Sequence, residues 1–98
     1  MTTALLDELD GVATLAAVGD RLRARRAAEV EEMLTVAHWA ALHGEPVDER
    51  DPMTEPGGEG TPPVREYCLP ELAMARETHT ITTRNLMADT LDLQHRLP

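Results

Sequence analysis

The chain has 98 residues, a formal net charge of −9 from eighteen acids and nine bases, and two aromatic side chains, Trp39 and Tyr67. That length holds one domain at most. The acidic balance disfavours general electrostatic binding to DNA or anionic membranes, and a core drawn from Leu, Val, Met and Ala favours an all-α fold.

The first ten residues hold three acids and no base, which argues against a signal peptide. Residues 3–9 can form a short helix capped by Thr2 or Thr3, and Asp10-Gly11 reads as a break. Uncharged runs such as residues 11–19 are too short to span a bilayer, so the expected location is the cytoplasm. Residues 13–43 read as one long helix. Leu15, Val18 and Leu22 begin an apolar stripe, and Val30, Met33, Ala37, Ala40 and Ala41 continue it at three- and four-residue steps. Arg21, Arg23, Arg25 and Arg26 spread around this helix, with Glu29, Glu31 and Glu32 as following partners, and read as a salt-bridged, solvated face. Gly44 fits the C-terminal cap and Pro46 follows it.

Residues 44–63 hold five prolines, four glycines, six acids and one base, with Val47 and Met53 as the only sizeable apolar side chains. Such a stretch buries too little to offset its ordering and reads as a flexible, acidic linker loop. Residues 64–69 are extended or a turn. Pro70 suits the first position of a short helix that continues to Arg76, a turn follows, and a last helix capped by Thr80 runs to Leu97. Leu86, Thr90, Leu93 and Leu97 share one face of it, widened by Met87 and Leu91. The whole is a single partial helical domain: a long helix (13–43), a linker (44–63) and a helix pair (70–97) in helix-turn-helix-like order.

No catalytic constellation emerges. All nine bases are Arg and the chain lacks Lys and Ser, which excludes a phosphate-loop lysine, a Schiff base and a serine nucleophile. Cys68 is the only cysteine, so no internal disulfide forms, and its acidic surroundings near Glu71 raise a thiol's pKa rather than activate it. The histidines at 38, 43, 79 and 95 lack the spacing of a helical metal pair, and no metal or cofactor is expected. Trp39 and His43, four apart, read as a packed pair at the edge of the core. The run Gly57-Gly58-Glu59-Gly60-Thr61-Pro62 lacks the Lys-Ser/Thr of a phosphate cradle and reads as a loop. In a DNA-reading use of the helix pair, only Arg84 and Asn85 are placed to contact bases.

The same glycine run, with Val64, Glu66, Glu71-Leu72-Ala73, Leu86, Ala88-Asp89, Leu91, Leu93 and the ending His95-Arg96-Leu97-Pro98, resembles a bacterial family, the domain of unknown function 222 or thirteen-E-twelve repeat family. The run Trp39-Ala40-Ala41-Leu42-His43 resembles that family's first helix. The likeness covers most of the chain from about Ala13 and implies a helical domain that precedes an HNH endonuclease domain, with no catalytic residue carried over. Family members place Gly in the inter-helix turn. Here Arg76-Glu77-Thr78-His79 stands instead, and a looser turn is expected. Family domains continue past the His-Arg-Leu-Pro run, so the chain reads as a truncated, N-terminal piece of an HNH-endonuclease-associated protein. The expected function is that of a non-catalytic helical accessory domain. It acts on a protein partner, or self-associates through Leu86, Leu93 and Leu97. The alternative is a weak DNA-binding helix-turn-helix-like module.

Overall fold

The computed structural model describes residues 6–96. Its elements are α1 (Gly11–Leu42), β1 (Met53–Thr54), β2 (Val64–Arg65), α2 (Cys68–Arg76) and α3 (Thr80–His95), a mostly helical chain with one small sheet. It forms two compact units, residues 1–31 and 32–98. The expected caps at Thr2 and Thr3, and Leu97 at the end of the last helix, lie outside the described residues.

In the first unit, Asp10 caps α1 instead of marking a plain break. Its Oδ1 accepts the Ala13 amide at 2.8 Å, and its carbonyl accepts the Thr14 hydroxyl at 2.7 Å. An N-cap carboxylate satisfies an otherwise orphaned amide and meets the positive end of the helix dipole, so the helix starts two residues earlier than the apolar pattern suggests. Val12, Leu15, Val18 and Val30 are exposed and Leu22 is half-buried, so the stripe that begins at Leu15 is largely uncovered here. Among the expected Arg–Glu partners, Arg23 pairs instead with the preceding Asp20.

The second unit holds the core. Val36 and Ala40 of α1, Val64 of β2, Cys68 and Leu69 of α2, and Met87 and Leu91 of α3 are buried together, with Trp39, Leu72 and Leu86 packed around them. Fully burying a side chain such as Met87 contributes roughly 1.5–3 kcal/mol. On α3 the buried positions are Thr83, Met87, Thr90 and Leu91; Leu86 is half-buried and Leu93 exposed. Thr90, Met87 and Leu91 of the expected face are thus buried, and the face is centred on their side of it, with Thr83 in place of Leu93. Two threonines can occupy it because their hydroxyls are satisfied locally. Thr90 donates to the Leu86 carbonyl at 2.8 Å, and Thr83 bonds to the Thr78 hydroxyl at 2.8 Å and accepts from Arg76 at 3.0 Å. Arg76 also reaches Glu32 at 3.5 Å.

The stretch read as a linker carries structure of its own. β1 pairs antiparallel with β2, Met53 opposite Arg65 and Thr54 opposite Val64, so residues 64–65 take the extended alternative. The Arg65 amide donates to the His43 carbonyl at 2.8 Å and that of Glu66 to Pro52 at 2.9 Å. Polar contacts thus supply what the missing apolar side chains do not, and apolar counting overlooks them. The helix pair also starts differently from expectation. α2 begins at Cys68, two residues before Pro70, whose missing N–H is harmless in a first turn. α3 is capped by His79, whose ring Nδ1 accepts the Ile81 amide at 3.1 Å, in place of Thr80.

The turn between them is tight. Glu77 adopts the left-handed conformation (φ 55°), and the amides of Glu77 and Thr78 donate to Met74 and Ala73 at 3.1 and 3.0 Å. These bonds close the end of α2 as a glycine would, and the side chain bears the steric cost. Glu77→Gly is therefore expected to raise stability by about 0.5–1 kcal/mol in urea denaturation. A loss of stability would show that the Glu77 side chain matters more than its backbone strain.

Candidate binding groove

An apolar groove of about 820 Å³ opens in the second unit. One wall is the end of α1, where Leu34, Ala37 and Ala41 follow one another at three- and four-residue steps, the two alanines leaving room. Pro62, Pro63 and Met53 form the facing wall, and Val64 and Leu91 also line it. His38, Glu45, Gln94 and His95 add polar groups. Concave, mainly apolar sites with a few polar groups are where proteins hold ligands or partner side chains.

The facing wall depends on the glycine run. The Gly58 amide donates to Asp92 Oδ1 of α3 at 2.7 Å, and the buried Thr61 donates its hydroxyl to the Gly58 carbonyl at 2.6 Å. A Cβ at Gly58 would sit 1.7 Å from an Arg96 guanidinium nitrogen, the flexible end of a half-exposed side chain that would have to swing aside, and 3.1 Å from Asp92 Oδ1. One at Gly57 would sit 2.6 Å from Thr61 Oγ1. Gly60 has φ +88°, which L side chains rarely adopt. The two most distinctive stretches of the sequence, Gly57–Pro62 and the end of the last helix, thus meet in space.

The residues singled out for DNA contact are placed differently from one another. Arg84 is half-buried and donates to the Thr54 hydroxyl at 2.8 Å, while Asn85 is exposed. The guanidinium is committed to holding β1 on α3. Trp39 and His43 do pack, ring centroids 4.0 Å apart; Trp39 Nε1 donates to the Cys68 carbonyl at 3.0 Å, and His43 Nδ1 lies 2.7 Å from the Trp39 carbonyl. His38 and His95, which the sequence leaves in unrelated elements, line the same groove. Among the described residues no three His, Cys, Asp or Glu side chains cluster to hold a metal ion. No helix among them is long and apolar enough to cross a membrane.

Cys68 is 2% exposed. Burial is the main cause that pushes its thiol up, while the carboxylate of Glu71, the cause expected from sequence, contributes least. Since the thiolate is the reactive form, an aromatic disulfide reagent at pH 7–8 is expected to modify native chain at least about 100-fold more slowly than urea-unfolded chain. Equal rates would mean that the α2 start opens readily.

Comparison with protein-family models, curated proteins and solved structures finds no match.

Proposed function

We propose that the chain is a non-catalytic helical accessory domain that works through protein contacts, as the front part of an HNH-endonuclease-associated protein of the thirteen-E-twelve repeat family. The family reading rests on the glycine run Gly57–Pro62 and the ending His95-Arg96-Leu97-Pro98. The contact reading rests on one observation, the apolar groove whose walls are α1, the Pro62–Pro63 corner and the end of α3. The absence of Lys and Ser from the sequence supports the non-catalytic half. The DNA-binding alternative draws no support from Arg84, whose guanidinium is engaged by Thr54. Of the residues expected to carry self-association along the last helix, Leu86 packs against the core and Leu93 is exposed.

The test is a dye whose fluorescence rises in apolar sites. Native chain is expected to bind it, and Ala41→Phe, which fills the groove from an exposed helix position, is expected to cut the signal several-fold with helix content unchanged. Undiminished dye binding in that variant would remove the groove as the contact site. Metal-dependent DNA cleavage by the purified chain would overturn the non-catalytic reading.

A further inference from the structure

We infer that the groove of the second unit takes a basic amphipathic helix of another protein, an apolar ridge seated between α1 and the Pro62–Pro63 corner and flanked by Lys or Arg. This rests on the contact reading above and names the partner's chemistry.

The shape argument is the groove itself. It is lined by Leu34, Ala37, Ala41, Met53, Pro63 and Leu91, an apolar surface into which a helix could insert side chains spaced three and four residues apart. Leu34 is 60% exposed, so the α1 wall includes apolar surface still open to water. The alanines permit close approach of a partner backbone.

The charge argument decides which helix. Residues 32–98 hold twelve acids and five bases, a formal −7. Six of those acids, Glu45, Asp48, Glu49, Asp51, Glu55 and Glu59, fall in the 44–63 segment against the single Arg50; the segment lends Gly44, Glu45, Pro46, Met53, Pro62 and Pro63 to the groove, while Asp48, Arg50 and Asp51 line a separate pocket. Glu45 lines the groove directly. No Arg lines the groove, and Arg96 is paired with Asp92 at 3.6 Å, so the formal −7 of the unit is not offset at the groove itself. An acidic helix would meet like charge, and so would the same unit of a second copy. A basic one meets opposite charge, which steers encounter and sets specificity.

The test uses the full chain and two labelled synthetic helical peptides with one leucine ridge, flanked by Lys in one and by Glu in the other. Fluorescence anisotropy is expected to show the Lys peptide binding roughly 10-fold tighter or more at low salt, with the gap shrinking near 0.3 M salt as screening shortens. Glu45→Lys with Glu49→Lys narrows the gap, and Ala41→Phe abolishes binding of the Lys peptide. If both peptides bind alike and Ala41→Phe blocks both, the groove stands as a contact site and the basic partner is overturned. If neither binds, the contact reading falls with it. If the Lys peptide binds Ala41→Phe undiminished, its attraction is to surface charge and the proposal fails. A dimer in sedimentation that Ala41→Phe dissolves would make a second copy the occupant and overturn the basic-helix assignment.

Discussion

The bond from the Gly58 amide to the Asp92 carboxylate joins a chain segment poor in apolar side chains to α3, the helix that brings Met87 and Leu91 into the core. A charged acceptor makes such a bond stronger than a neutral one. Around it the surrounding geometry follows. Thr61 is buried and folds its hydroxyl back to Gly58, Gly60 turns with positive φ, and Pro62–Pro63 emerge as an apolar wall before β2. A side chain at Gly57 would collide with the buried Thr61, so glycine there permits close approach, while Gly60 permits the turn.

Polar bonds recur wherever apolar material is scarce. Arg84 ties β1 to α3 through Thr54, Arg65 reaches the end of α1, and Trp39 clamps the start of α2 through the Cys68 carbonyl. The cluster of seven buried apolar residues is small, and buried Thr83 and Thr90 extend it with satisfied hydroxyls. Such a unit gains positional definition from hydrogen bonds, each modest in net energy but costly to leave unmade when buried. Leaving the 44–63 segment rich in acids has a further consequence. Glu45, one of these acids, is exposed on the lining of the apolar groove, the pairing behind the proposed preference for a basic partner.

The helices were legible from the chain because their signals are local. Three- and four-residue apolar steps, an uninterrupted run from Ala13 and the stop at Gly44-Pro46 place α1 within two residues at each end. Trp39 and His43, one turn apart, also pair as their spacing suggests. What escaped the reading depends on distant partners. Nothing near Gly58 announces Asp92, thirty-four positions away, and nothing near Thr54 announces Arg84. The buried face of α3 is legible in part: Met87, Thr90 and Leu91 are buried as their spacing suggests, whereas Leu93 is exposed and Thr83, a polar residue whose hydroxyl is satisfied by Thr78 and Arg76, is buried in its stead. Glu77 shows the reverse case: the left-handed turn forms without the glycine that would announce it. The groove itself had only faint marks in sequence, two alanines one turn apart in a long helix and a Pro-Pro pair after the glycine run.

Hydrogen exchange at the Gly58 amide tests most directly the claim that this loop is pinned and so builds the groove wall. If the bond to Asp92 holds as described, that amide exchanges with protection comparable to the core amides of α3 and loses it in Asp92→Ala, which removes the acceptor. Exchange near the free-peptide rate in the unaltered chain would contradict the account, because the Pro62–Pro63 wall would then have no fixed place beside the helices.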